Sequence, residues 1–117
     1  MKRGSLHGRA GVIVARVDLA DDWRSRLRGL LLRRPLATDG SEALLLWPCA
    51  GIHTIGMRYS LDVAFLDASG AVLCIFEGVR PWRACWKRGA HGALELRAGA
   101  ARRLGLAVGD NVEWRMQ

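Results

Sequence analysis

Residues 61–76 read LDVAFLDASGAVLCIF. The two ends of this segment are apolar runs with β-branched and aromatic side chains, a composition typical of strands. The intervening Asp67-Ala68-Ser69-Gly70 has the Asp and Gly that favour a tight turn. The segment therefore predicts a β-hairpin with strands over Leu61–Leu66 and Ala71–Phe76.

Strand, helix and turn signals continue on both sides of this hairpin. Strands are also predicted over residues 11–17, 42–47, 93–96 and 112–114, and an extended chain through Ile55 and Met57. Within residues 18–34, Trp23 and three leucines recur at helical spacing, which predicts one short helix that ends at Pro35. Residues 98–104 predict a helical turn that Gly105 can cap.

These elements predict a mainly β fold. Sequential strands joined by tight turns form antiparallel sheets. We expect a compact antiparallel β-sandwich or partly open barrel, with one short helix near the N-terminus and one helical turn near the C-terminus. Residues 1–8 are expected to form a disordered N-terminal tail, and residues 9–117 a single β-rich domain.

The chain is strongly basic. Its formal net charge is +7, and only two of its 18 basic residues are lysine. Arginine binds phosphate and carboxylate bidentately, so nucleic acid is a candidate partner. The arginines are scattered along the chain, however, which is also typical of an ordinary solvated surface.

Cysteine usage and the N-terminus bear on location. Cys49, Cys74 and Cys85 cannot all pair within one chain, and no CxxC motif occurs, so a reduced setting is the simplest account. The first eleven residues, MKRGSLHGRAG, contain no apolar signal-peptide core. No run approaches the roughly 20 apolar residues of a membrane span. We expect a cytoplasmic protein with no membrane span.

Cys49, His53 and Met57 are the side chains best suited to soft-metal binding. Thiolate, imidazole and thioether suit copper(I), and a Cys–His pair can bind zinc. A proline and two glycines in residues 48–56 argue against the helix that would align them. An extended strand would separate them too far for one ion, although a curled loop could still gather them. A buried Cys, a hydrogen-bonded His and a core Met are the simpler interpretation.

Cys49 and His53 could also act as nucleophile and base, with Asp62 orienting the imidazole. No sequence feature marks an oxyanion hole, so we assign no catalytic residue, no metal and no cofactor. Asp62 begins an apolar strand, and a buried carboxylate there needs a partner. Arg58, four residues earlier, is the first expected partner, and Arg80 and Arg97 are further candidates. The alternative places Asp62 at the mouth of a binding cleft.

The segment Arg80-Pro81-Trp82-Arg83 interleaves an indole with cations, and Trp86-Lys87-Arg88 repeats the pattern. Aromatic faces stack on bases or sugar rings, and cations hold phosphates. Binding residues are often on loops. The structural alternative is that both indoles cover an open end of the barrel.

Several short motifs together resemble one known family, the domain of unknown function 192 of bacteria and archaea. The motifs are Gly29-Leu30-Leu31, Ile52-His53-Thr54 with Met57, Leu61-Asp62-Val63, Phe65-Leu66-Asp67, Gly70, Pro81-Trp82, Leu94-Glu95-Leu96, Ala98-Gly99 and Gly109-Asp110. The resemblance implies a β-sandwich-like fold of this size and no established activity. It also implies candidate site residues at His53, Met57 and Asp62. Many relatives carry an export signal.

The function that these observations favour is a non-enzymatic binding or accessory domain. Its ligand would be anionic, sugar-like or a peptide, held in a small polar cleft. The candidate ligand-binding residues are His53, Met57, Arg58, Asp62, Trp82 and Arg83. One alternative is a nucleic-acid-binding protein that uses the basic surface and the Arg/Trp loop. The other is a copper or zinc protein, or a small enzyme, that uses Cys49, His53 and Met57.

Overall fold

The computed structural model describes residues 1–28 and 35–117, without the side chains of residues 24, 27 and 28. These residues form nine strands and two short helices. In chain order they are β1 (Lys2–Gly8), β2 (Gly11–Ala20), α1 (Trp23–Arg28), β3 (Glu42–Leu46), β4 (Gly51–His53), β5 (Leu61–Leu66), β6 (Val72–Val79), β7 (Ala84–Trp86), β8 (Gly92–Arg97), α2 (Ala100–Leu104) and β9 (Glu113–Met116).

Seven strands form one sheet in the order β6-β5-β8-β3-β2-β1-β9. The pairs are antiparallel except β2 and β3, which run parallel. A parallel pair needs a crossover, and the chain from residue 21 to residue 41, which includes α1, supplies it. The mainly β fold with two short helical segments is confirmed, and the sheet is mixed.

The sheet curls but does not close into a barrel. Its edge strands are β6 and β9. Ala71, just before β6, and Asn111, just before β9, form a single isolated bridge that links the two edges. The Val72 amide donates to the Asp110 carbonyl (2.8 Å), and the Val112 amide to the Gly70 carbonyl (3.0 Å). The expected partly open barrel is therefore joined at one end only.

Both faces of the central strands are buried, so the fold has two cores. Side chains alternate along β5, where Ala64 and Leu66 face one core and Val63 and Phe65 face the other. The first core includes Ala100 and Ala101 of α2 and is called the α2-side core. The second is covered by the β4–β7 pair and is called the β4–β7-side core. This burial explains why β5 is a nearly continuous apolar run.

The predicted hairpin is confirmed, with β5 over the predicted residues and β6 extended to Val79. The helical turn before Gly105 is confirmed as α2, and Gly105 caps it in the left-handed conformation with φ 69°. The early helix is confirmed over Trp23–Arg28. Its expected continuation through residues 29–34 lies outside the described residues.

Residues 1–8 do not form the expected disordered tail. Lys2–Gly8 is a strand that pairs with β2 on one side and β9 on the other. Leu6 is fully buried in the α2-side core. The polar and glycine residues of β1 give no strand signal in the sequence. The strand is stabilised by backbone pairing with β2 and β9 rather than by a local run of apolar residues.

Two further expectations about loops need correction. The chain is not extended through Ile55 and Met57, because Thr54–Met57 forms a turn, with Gly56 at φ 83°. The Arg/Trp segment over residues 80–88, expected to be a loop, contains β7, which pairs with β4. Neither helix among the described residues is long and apolar enough to cross a membrane.

Leu6→Ala tests the role of the first strand. It should lower the free energy of unfolding by about 2–5 kcal/mol, the usual cost of truncating a fully buried leucine. Chemical denaturation measures the change, with Lys2→Ala, on the surface of the same strand, as the control. Equal stability of the two variants would show that residues 1–8 are not part of the folded core.

Candidate ligand-binding surface

β4 and β7 form a small two-stranded sheet over the β4–β7-side core. Ile52 and Cys85 are register partners and both pack against this core. Their neighbours alternate to the outer side, where His53 pairs with Ala84 and Gly51 with Trp86. Gly51 and Ala84 are small, so the outer side of this sheet presents His53 and the Trp86 indole to solvent.

Thr54 joins this sheet to the loop at residues 80–83. Its buried hydroxyl donates to the Arg80 carbonyl (2.7 Å) and accepts from the Arg83 amide (2.9 Å). Its own amide donates to the Arg83 carbonyl (2.8 Å), and its carbonyl accepts from the amides of Met57 (3.1 Å) and Trp82 (3.0 Å). One residue therefore brings the turn at residues 54–57 and the loop at residues 80–83 against each other.

Trp82 has an unusual backbone conformation. Its φ is 65°, the single positive φ at a non-glycine position among the described residues. A bulky residue in this region is strained, and such strain persists only where surrounding contacts impose it. The contacts are those of Thr54. They hold the indole in solvent, with 66% of the residue exposed.

Cations lie beside this indole. Arg83 is exposed, and its guanidinium donates to the Trp82 carbonyl (3.3 Å). Arg58 is also exposed and directly follows Met57. The backbone amides of Met57 and Trp82 both donate to the Thr54 carbonyl. We call six of the exposed residues in these segments the Trp82 surface. They are His53, Arg58, Trp82, Arg83, Trp86 and Lys87.

Asp62 and Met57 do not belong to this surface. Met57 is buried in the β4–β7-side core. Asp62 is fully buried, and its carboxylate accepts three backbone hydrogen bonds, from Gly78 (2.9 Å), Gly99 (3.0 Å) and Ala101 (3.1 Å). The expected pairing with Arg58 is therefore wrong. Of the six candidates, Met57 and Asp62 are buried, and the other four, His53, Arg58, Trp82 and Arg83, are exposed.

Cys49 and His53 do not form a nucleophile–base pair. The Cys49 thiol donates to the Gly51 carbonyl (3.0 Å), and the His53 Nδ1 accepts from the Ile55 amide (3.3 Å). Burial raises the pKa of the Cys49 thiol, which disfavours the reactive thiolate. Burial, with a smaller contribution from the nearby Glu95 carboxyl, raises the pKa of Cys85 to about 11.

The described residues contain no group of three or more His, Cys, Asp or Glu side chains placed to hold a metal ion. Met57 is buried while His53 faces solvent, so the turn does not gather the soft ligands.

Glu95 is a buried acid that the sequence did not single out. It lies in the middle of β8, between β3 and β5, and only 4% of it is exposed. Among the described residues, its carboxyl has no hydrogen-bond or ion-pair partner, and burial raises its pKa to about 8. The signal was a single charged residue within the otherwise apolar run GALEL at residues 92–96. That pattern normally indicates a solvent-facing side, which the β4–β7 sheet covers here.

The chain matches the DUF192 family, described as "Uncharacterized ACR", over residues 6–114. It belongs to this family, as its sequence motifs indicated. A UPF0127 protein of the archaeon Pyrococcus abyssi is 34% identical over 105 residues, which are 85% of this chain and 86% of the relative. A UPF0127 protein of Thermococcus sibiricus is 34% identical over 113 residues, which are 91% of this chain and 70% of the relative.

Two solved bacterial proteins share the fold. A protein of unknown function from Novosphingobium aromaticivorans is 27% identical with a TM-score of 0.81, over 96% of this chain and 84% of that chain. A Sinorhizobium meliloti protein, proposed to be a transcription regulator, is also 27% identical with a TM-score of 0.81, over 97% of this chain and 92% of that chain.

Asp62→Asn tests the buried carboxylate. The asparagine side chain has one acceptor oxygen, and its N–H₂ group can only donate. At least one of the three backbone N–H groups that bond to Asp62 therefore loses its acceptor. We expect the free energy of unfolding to fall by about 1–3 kcal/mol. Asp21→Asn is the matched control, because Asp21 forms a surface ion pair with Lys2. Similar denaturation midpoints for the two variants would contradict the structural role.

Glu95→Gln tests the buried acid through pH. Because the pKa of Glu95 is about 8 when folded and about 4.3 when unfolded, the folded state retains the proton between these values. The stabilisation is complete below pH 4 and is lost as the pH rises toward 8, by at most about 1.4 kcal/mol per pH unit.

Melting temperatures at pH 5, 6, 7 and 8 compare the wild type with Glu95→Gln, whose profile should be flatter. Glu113→Gln, at an exposed carboxyl on β9, should keep the wild-type slope. Parallel profiles for wild type and Glu95→Gln would show that Glu95 is already ionised.

Proposed function

We propose that this protein is a non-enzymatic binding domain whose Trp82 surface holds an anionic ligand that carries a sugar or planar ring. The observation that carries the proposal is the strained and exposed Trp82. A fold optimised only for stability would place glycine at φ 65° and would not project a large indole into solvent.

The charge and shape of the surface support the ligand class. Arg58, Arg83 and Lys87 are cationic and exposed, and the described residues offer no carboxylate hydrogen-bonded to any of them. Indole faces stack on planar or sugar rings, and arginine forks bind phosphate or carboxylate. An anionic group beside a ring uses both kinds of side chain together.

The remaining sequence candidates support this surface without touching the ligand. Met57 anchors the turn that carries Arg58, because its side chain packs in the core. Asp62 fixes β5 to β6 and α2 beneath this layer. The ligand would therefore lie on an open face, and the small polar cleft expected from the sequence is not part of the proposal.

A second candidate function is binding of single-stranded nucleic acid. Trp82 and Trp86 are 66% and 72% exposed and lie four residues apart in the chain, and successive bases stack on exposed indoles. The solved relative from Sinorhizobium meliloti is proposed to be a transcription regulator. The net charge of +7 also favours a polyanion.

NMR titration distinguishes the two candidates. Adenosine monophosphate, glucose 6-phosphate and a single-stranded thymidine 15-mer serve as probes, with the backbone amides and the five tryptophan indoles as reporters. If the first proposal is correct, we expect chemical-shift changes at Trp82, Arg83 and Arg58 when the mononucleotide or the sugar phosphate is added. The second candidate predicts binding of the 15-mer alone, with log K falling by about 0.7 per phosphate contact and decade of salt. Shifts elsewhere, or none, would remove both.

Trp82→Gly separates a binding role from a structural one. Glycine adopts φ 65° without strain, so stability should equal or exceed that of the wild type. Binding should weaken about tenfold or more, since a stacked aromatic contributes about 1–3 kcal/mol. Trp23→Ala, which removes an indole of a residue that is 64% exposed on α1, is the control for loss of an exposed aromatic ring. A less stable Trp82→Gly variant with unchanged binding would mean that the indole only covers the core.

A further inference from the structure

A pocket of about 240 Å³ opens on the α2-side core, on the other face of the sheet from the Trp82 surface. Its floor consists of Leu6, Leu45 and Leu66, which belong to β1, β3 and β5 and are buried. Half-buried Trp47 and Trp114 form walls. The pocket lies beside β9, at an end of the curled sheet that no further strand closes. Mouths of open β-barrels are common ligand sites.

Both indole walls are fixed in position. A Cβ atom at Gly92 would overlap the Trp47 ring, and a Cβ atom at Gly4 would overlap the Trp114 ring. Each ring therefore packs closely against a glycine backbone, where no larger residue would fit. The Trp114 indole N–H donates to the Val17 carbonyl (2.9 Å), which sets the plane of that ring. Walls that are ordered before binding reduce the entropy cost of holding a ligand.

The lining residues determine the chemistry of the occupant. None of them is charged, and the Ser69 hydroxyl at the rim is already bonded to the Asp67 carboxylate (2.6 Å). A charged group entering this pocket would lose its hydration without gaining a partner. An apolar cavity of about 150 Å³ holds one benzene molecule. A pocket of 240 Å³ therefore suits a ring system of about two fused rings.

We propose that this pocket is a second binding site, for one small uncharged bicyclic aromatic molecule. The ring system lies between Trp47 and Trp114 and packs over the floor that the three leucines form. Aromatic side chains add an offset or edge-to-face contact to the apolar burial. The site is separate from the Trp82 surface. The cations of that surface favour anionic ligands, whereas this pocket favours an uncharged one.

Naphthalene is the probe, and ¹³C-methyl NMR on the full chain is the measurement. We expect shifts at the methyls of Leu6, Leu45 and Leu66 and at the Trp114 indole, with intermolecular NOEs to naphthalene protons. Naphthalene-2-sulfonate should bind this pocket at least about tenfold more weakly, a difference of about 1.4 kcal/mol. Equal binding of the two probes at these methyls, or shifts confined to other residues, would overturn the proposal.

Ala68→Phe should fill the pocket. Ala68 lines the rim within an exposed turn, so the larger side chain can enter the opening without disturbing the core. Naphthalene affinity should fall by about tenfold or more. Ala107→Phe, in the exposed turn before β9, is the matched control and should bind as the wild type does. Equal affinities for the two variants would overturn the site.

The same spectra test a competing occupant. If a second copy of this chain used the pocket, the leucine methyls would show intermolecular NOEs to protein protons in mixed-labelled samples. The shifts would also depend on protein concentration. Either result would overturn the small-molecule site, and their absence together with naphthalene NOEs would support it.

Discussion

The buried carboxylate of Asp62 holds together elements that are far apart in sequence. It lies on β5, and its two oxygens accept backbone hydrogens from Gly78 on β6 and from Gly99 and Ala101 at the start of α2. A buried charge is costly unless it is fully hydrogen-bonded, so this arrangement admits very few alternatives. The position of α2 over its core and the register of β6 on β5 both depend on it.

The hairpin at residues 61–76 could be predicted because its signals are local: two apolar runs and a turn with Asp and Gly. The strand at residues 2–8 could not. Its only deeply buried apolar residue is Leu6, and its partners include residues 113–116 at the other end of the chain. The parallel pairing of β2 with β3 was equally hidden, because it depends on a crossover rather than on a turn.

The candidate site likewise contains residues that the sequence indicated and residues that only the structure revealed. Composition alone drew attention to Trp82 and Arg83, since indoles interleaved with cations in a loop suggest binding. Their role as ligand-binding residues stays a prediction. Thr54 and Glu95 could not be ranked from sequence, because a threonine after a strand and a glutamate within one are both ordinary. Their significance arises from tertiary contacts, which bury the Thr54 hydroxyl among loop carbonyls and cover Glu95 with a second sheet.

Burial of both sheet faces has a consequence for how such chains diverge. All six residues of β5 and the first five of β8 are buried. Consecutive side chains pack in different cores, so a substitution at any of these positions changes the packing of one core. Substitutions in these two strands should therefore be tolerated less than substitutions in the edge strands and the exposed turns. A chain of this fold keeps its central strands recognisable even where its exposed turns change.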